Sequence, residues 1–282
     1  MKTTEIYYFT GTGNSLSVAR ELNDRLSGSK LIPIASLNNK EYVKSSADVV
    51  GIIFPVYYGE APNIVKDFVK KLETSKDVYT FAVATFGGSS GNSLKNLKQL
   101  IGSNGYQLSA GFGVHMPQNA FYKFWENKDK VYRRSRKKVD SIVKKINSRK
   151  KGIFRSDYLL RPLVFLLYGY FENKTIEHLE KISNIPYQSG MTLEELLPLA
   201  DRNYRTDENC EGCGICAKVC PVNNIKMIDG KPEWQNHCEN CLACYNMCPN
   251  KAIHGGVLSK DYHYIHPEFK MSDLKIQKGM KV

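Results

Sequence analysis

The sequence predicts an α/β protein: a doubly wound, five-stranded parallel sheet, then a helical linker, then a small α+β module rich in cysteine. Three observations carry this reading. Short β-branched and aromatic runs alternate with helical periodicity up to residue 115, and a strongly basic stretch at helical spacing follows. All eight cysteines of the 282-residue chain then fall in two near-copies of one pattern.

The elements can be taken in order. Residues 5–9 form a first strand that stops at Thr10-Gly11-Thr12-Gly13-Asn14-Ser15, after which Leu16, Val18, Ala19, Leu22 and Leu26 fall at helical spacing. Residues 30–34 supply the second strand. The third, residues 48–54, reads as buried and runs into Pro55-Val56-Tyr57-Tyr58-Gly59-Glu60-Ala61-Pro62. The fourth, residues 78–85, ends at Thr85 in Phe86-Gly87-Gly88-Ser89-Ser90-Gly91-Asn92, which opens a helix through Leu94, Leu97 and Leu100. Residues 106–115 complete the alternation. Ligands of such sheets bind beyond the carboxyl ends of the strands, at the switch point, and that is where these three loops would gather.

The first loop has hydroxyls and glycines but no lysine or arginine, so an anion there would be held by backbone N–H groups, hydroxyls and a helix N-terminus. A phosphate monoester suits it. The Walker pattern would need Gly-Lys-Ser/Thr, and the dinucleotide fingerprint would need a third glycine where Leu16 stands. A plain tight turn would use the same glycines. In the second loop Tyr57 and Tyr58 could stack on a flat aromatic ring or serve as ordinary packing, while Gly59 permits a backbone rearrangement.

The cysteines are more specific. Cys210, Cys213, Cys216 and Cys220-Pro221 recur as Cys238, Cys241, Cys244 and Cys248-Pro249 at a constant offset of 28 that continues through Ile225 and Ile253. This spacing is that of two-cluster iron-sulfur modules, in which the fourth cysteine of each run serves the other cluster. Cys210, Cys213 and Cys216 would hold one 4Fe-4S cluster with Cys248. Cys238, Cys241 and Cys244 would hold the second with Cys220. Each proline sits where a short helical turn could begin. A zinc site leaves Cys216 and Cys244 without a role, and a disulfide framework conflicts with the first residues, too briefly apolar for a secretory leader, so a reducing cytoplasmic location is expected.

Residues 206–258 therefore resemble bacterial-type two-cluster ferredoxins, and residues 1–150 resemble flavodoxins on the motif Phe9-Thr10-Gly11-Thr12-Gly13-Asn14-Ser15 and the two companion loops. Together they are similar to the flavodoxin-ferredoxin fusion proteins of anaerobes, a likeness that extends to Met116-Pro117-Gln118-Asn119 and to residues 262–268. The resemblance implies FMN as well as two 4Fe-4S clusters. It implies Thr10, Thr12, Asn14 and Ser15 at the phosphate and Tyr57, Tyr58, Gly59, Phe86, Gly87 and Gly88 at the flavin ring, with Gly11, Gly13, Pro55, Val56, Thr85, Gly91 and Asn92 completing the three loops. It further implies that the Gly59 peptide can turn a carbonyl toward the reduced ring. The expected domains are 1–150, a helical segment 151–205, the cluster module 206–258 and a tail 259–282.

Residues 128–151 carry twelve Lys and Arg against two Asp, a net +10 within a chain of formal charge +12. Val131, Ser135, Val139, Ile142, Val143 and Ile146 approximate one helical face, so a long amphipathic helix with a solvated basic side is expected. That side would suit an acidic redox partner, whose docking electrostatics accelerates. No aromatic-interleaved or helix-turn-helix pattern supports nucleic acid as its ligand. Residues 158–170 are apolar but fall short of the roughly 20 needed to span a bilayer, and read as a helix buried between modules.

The expected function is electron transfer: low-potential electrons pass between two clusters and FMN and are exchanged with external redox proteins. A flavin-dependent reductase of a quinone or nitro compound is the alternative enzyme, with His115, Tyr57 and Tyr58 as candidate proton donors. A redox-responsive binding module built on the basic helix is a third. No nicotinamide fingerprint is present.

Overall fold

In the computed structural model, residues 3–119, 127–154, 161–256, 258 and 262–280 are described, without the side chains of 161–168 and 171. The first strand, β1 (Thr4–Tyr8), pairs in parallel with β2 (Ser29–Pro33) on one side and β4 (Val49–Pro55) on the other. Beyond β4 come β6 (Tyr79–Phe86), β7 (Leu108–His115) and β8 (Gly152–Phe154), giving the order β2-β1-β4-β6-β7-β8. The remaining pair, β3 (Val43–Lys44) with β5 (Leu72–Glu73), is a two-residue parallel patch outside this sheet.

The sheet has six strands, not the five that periodicity predicts. The sixth is only three residues long and follows a lysine-rich run, too short to display alternation, so local sequence does not mark it. Tertiary packing selects it. Phe154 stacks on Phe112 with ring centroids 5.5 Å apart, and Ile153 fills the notch left by Gly111, where a Cβ would lie 2.6 Å from its Cδ1.

All eight residues of β6 are buried, as are the first six of β4, because helices cover the sheet. The helix α1 (Asn14–Arg25) buries Leu16, Val18, Ala19 and Leu22, and packs beside α4 (Lys128–Asn147); α2 (Asn63–Lys71) packs beside α3 (Ser93–Ser103). The buried face of α4 is Val131, Ser135, Val139, Ile142 and Ile146, the stripe its periodicity marks, with Val143 at its margin.

By its contacts the chain divides into two compact units, one of residues 1–118, 124–156 and 266–282 and one of residues 119–123 and 157–265. The final segment, with α9 (Met271–Gln277), thus folds with the sheet although it follows the cysteine-bearing unit in sequence. The second unit contains α5 (Arg161–Ile182) and α6 (Leu193–Leu196), the latter opened by a Thr192–Glu195 capping box. The predicted burial of residues 158–170 falls largely outside the described residues; Tyr170 is exposed. Among the described residues, no helix is long and apolar enough to cross a membrane.

The rest of this unit repeats itself. It contains β9 (Arg205–Thr206), α7 (Ile215–Val219), β10 (Ile225–Ile228), β11 (Lys231–Trp234), α8 (Ala243–Asn246) and β12 (Ile253–His254), with β10 antiparallel to β11 and β12 to β9. The offset of 28 in sequence reappears in the backbone. Left-handed residues pair as Gly212 with Asn240, Gly214 with Leu242 and Asn223 with Lys251. Pro221 and Pro249 open tight turns, closed by Asn223 N–H to the Cys220 carbonyl and Lys251 N–H to the Cys248 carbonyl, and not the helical turns expected of them. The helical turns instead precede them, as α7 and α8, each entered through a left-handed residue that redirects the chain after two cysteines.

Candidate functional site

The carboxyl ends of β1, β4, β6 and β7 bring the three predicted loops into one cluster. Hydrogen bonds join them. Ser15 Oγ lies 2.8 Å from Thr85 Oγ1, Val56 N–H donates to the Thr85 carbonyl at 2.8 Å, and Asn14 Nδ2 donates to the Pro117 carbonyl at 2.8 Å. Pro55 closes β4 opposite Thr85, so the second and third loops leave the sheet from adjacent strands.

In the first loop, Thr10, Thr12 and Ser15 are almost wholly buried and Thr10 Oγ1 accepts the Gly13 N–H at 3.0 Å. Gly13 caps α1 in the left-handed conformation, φ 99°, and offers no side chain to the helix end. The first turn of α1 contains no acidic residue. Its N–H groups lack intrahelical acceptors, as in any first turn, so the loop and helix end suit an anion. This donor set fits a flavin phosphate.

The second loop is a two-residue hairpin. Tyr57 and Glu60 exchange backbone hydrogen bonds at 3.0 and 2.9 Å around Tyr58 and Gly59, both with positive φ. Both tyrosines are half-buried, and Asn96 Nδ2 fixes Glu60 at 2.7 Å. In the third loop Gly87 and Gly88 differ. A Cβ on Gly87 would lie 2.9 Å from Gln118 Cβ, whereas one on Gly88 would meet nothing within 4 Å. Phe86 is buried and stands edge-on to His115. His115 Nε2 lies 2.8 Å from the Gly87 carbonyl; a carbonyl only accepts, so Nε2 carries the proton and anchors the loop. Asn92 precedes α3, and Gly91 lies against Gly59.

Sequence reasoning missed the contribution of the last helix. Gln277 is fully buried and bonds both backbone groups of Thr10, at 2.8 and 2.9 Å. No local pattern announces it, since one glutamine in a short helix carries no signal of its long-range partner.

The eight cysteines form no disulfide. They sort into two sets of four. Cys210, Cys213, Cys216 and Cys248 line one cavity, and Cys220, Cys238, Cys241 and Cys244 line another. Each set takes three cysteines from one copy of the repeat and one from the other. Among the described residues no three His, Cys, Asp or Glu side chains converge as ligands of a single metal ion do. Burial pushes the Cys216 thiol up to about 11 and Cys244 up to about 12, and holds Cys238 and Cys241 well above the usual thiol value. Thiolates in such surroundings need a cationic centre to offset desolvation. Backbone N–H groups also reach the sulfurs: Asn224 to Cys220 at 3.2 Å and, at the same offset of 28, Ala252 to Cys248 at 3.4 Å.

The Flavodoxin domain family matches residues 5–110 and the 4Fe-4S binding domain family matches residues 204–226. The chain joins a flavodoxin domain to a 4Fe-4S binding domain. The 4Fe-4S match spans the first cysteine run, and the flavodoxin match spans the three loops. No curated protein matches the sequence. Similar solved structures include rubredoxin oxygen:oxidoreductase from the anaerobe Desulfovibrio gigas, 15% identical over 53% of this chain and 37% of that one, TM-score 0.36. They also include a flavoprotein in complex with FMN from Lactobacillus acidophilus NCFM, 16% identical over 41% and 93%, TM-score 0.29. An FMN-dependent NADH-azoreductase from Bacillus anthracis is 10% identical over 52% and 99%, TM-score 0.38. The flavodoxin and 4Fe-4S domains together give the chain a redox role.

Proposed function

We propose that this protein is an electron carrier that relays low-potential electrons between two 4Fe-4S clusters and FMN and exchanges them with external redox proteins. The observation that carries this is the sorting of eight cysteines into two cavities, three plus one each way, in the same chain as a flavodoxin domain. Cys210, Cys213, Cys216 and Cys248 would hold one cluster, and Cys238, Cys241, Cys244 and Cys220 the other. Thr10, Gly11, Thr12, Gly13, Asn14 and Ser15 would hold the FMN phosphate, and the loops around Tyr57–Gly59 and Gly87–Gly91 would border the ring. When bound, the clusters would pass single electrons, at potentials that such centres span from roughly −700 to +450 mV, and a flavin accepts one or two.

The residues set the surroundings. N–H groups aimed at Cys220 and Cys248 stabilise negative charge on sulfur and so favour the reduced state. Gly59, held at φ 82°, can offer its peptide to the ring with either face. The exposed basic side of α4 would steer an acidic partner into transient contact, in the cytoplasm. A reductase would need a proton donor over the ring; the engagement of His115 with Gly87 makes that residue a loop anchor and leaves Tyr57 and Tyr58 as the candidates for such a role.

Anaerobic purification with iron, sulfide and flavin quantified tests the proposal. About eight iron atoms and one FMN per chain are expected; zinc in place of iron, or no flavin, overturns the corresponding half.

A further inference from the structure

The flavin phosphate loop is braced from outside by the segment that follows the 4Fe-4S domain. Gln277 is the central contact: its Oε1 accepts the Thr10 N–H and its Nε2 donates to the Thr10 carbonyl. His266 N–H donates to the Thr12 carbonyl at 2.8 Å. The side chains of Phe269 and His266 close over Gly13, where a Cβ would lie 2.5 and 2.8 Å from their Cβ atoms. The helix carrying Gln277 is held in turn by Asp273, which pairs with Arg20 of α1 and accepts the Lys270 N–H at 2.9 Å.

These contacts decide where the loop's amides point. In a trans peptide the carbonyl and the following N–H face opposite ways. Gln277 holds the Thr10 carbonyl outward, so the Gly11 N–H faces the inside of the loop. His266 does the same for Thr12 and thereby for the Gly13 N–H, which indeed meets Thr10 Oγ1 within the loop at 3.0 Å. The loop has no lysine or arginine, so its hold on an anion depends on the orientation of its amides, on its hydroxyls and on the helix end.

We propose that Gln277 is a positioning residue for the phosphate end of FMN, so that flavin retention by the N-terminal loop depends on a helix at the far end of the chain. This rests on the reading that FMN occupies the loop. The cost of leaving Gln277 unsatisfied in a buried site explains why both ends of its amide are committed to one residue.

The test is a titration of deflavinated, cluster-loaded full-length protein with FMN and, separately, with riboflavin, which lacks the phosphate. Q277A should weaken FMN about tenfold, the equivalent of about 1.4 kcal/mol, and leave riboflavin affinity and iron content unchanged. Q277E should weaken FMN further, because a carboxylate oxygen then faces the Thr10 carbonyl beside an anion site. Unaltered FMN affinity in Q277A overturns the proposal, and so does an equal loss of FMN and riboflavin, which would mark a general packing defect. If the wild-type chain binds riboflavin and FMN equally, or neither, the phosphate-loop reading itself fails and the brace falls with it.

Discussion

Gly91 lies back to back with Gly59: a Cβ built on Gly91 would stand 2.5 Å from both the Cα and the carbonyl oxygen of Gly59. Two loops that border the proposed ring site therefore touch through the only residue type without a side chain. Gly91 also has φ 51°, where an L-residue carries a cost of about 1–2 kcal/mol before any overlap is counted. G91A should push the Tyr57–Glu60 hairpin away from the third loop and lower the temperature of flavin release by several degrees, at roughly 2–4 °C per kcal/mol. Thermal melting followed by flavin fluorescence checks this.

Gly59 itself has room for a side chain, since a Cβ placed there would have its nearest neighbour 3.6 Å away, so a substitution acts through φ 82° and not through collision. G59V should restrict the peptide to one orientation. The gap between the two one-electron potentials of the flavin should narrow, as read by a spectroelectrochemical titration, with FMN affinity changed by less than in G91A.

Crossed ligation makes a prediction about which cluster each cysteine serves. C220A should cost the cluster held by Cys238, Cys241 and Cys244, and C248A the one held by Cys210, Cys213 and Cys216. Each variant should keep about four of about eight iron atoms. Mössbauer and EPR spectra of the two variants should be complementary; identical residual spectra would contradict the crossing.

Acid should loosen the C-terminal brace. Burial lowers the His266 pKa below its ordinary 6.5, with Glu268 opposing and Arg136 and Arg20 reinforcing the shift. Its Nδ1 accepts the Glu268 N–H at 3.3 Å, and the ring stands edge-on to Tyr132, so the packed form is neutral. The undocked segment takes up a proton more readily, so stability falls as pH drops below about 6.5 and is retained above it. FMN affinity should decline between pH 7 and 5.5, and H266Q should flatten that decline.

How much of this was legible in the sequence depends on the range of the interaction. Strands β1, β2, β4, β6 and β7 and the buried stripe of α4 follow from patterns contained within each segment, and so do the loop glycines. The cysteine offset of 28 is similarly local, and the backbone repeats it in its paired left-handed residues. The strand β8 was not legible because three residues cannot show a period; Gly111 and Phe112 call for it from forty residues away. Gln277 was not legible for the same reason, since its partner Thr10 is 267 residues distant. The positions of α7 and α8 before the Cys-Pro pairs were missed because proline marks a turn without saying of which kind.

Rapid mixing tests the relay most directly. The anaerobic full-length protein is reduced by a low-potential one-electron donor while cluster bleaching and flavin absorbance are followed together. Flavin reduction is expected to follow cluster reduction and to slow at least tenfold in C220A or C248A. Flavin reduced at an unchanged rate in both cysteine variants, or never reduced through the clusters at all, would contradict it.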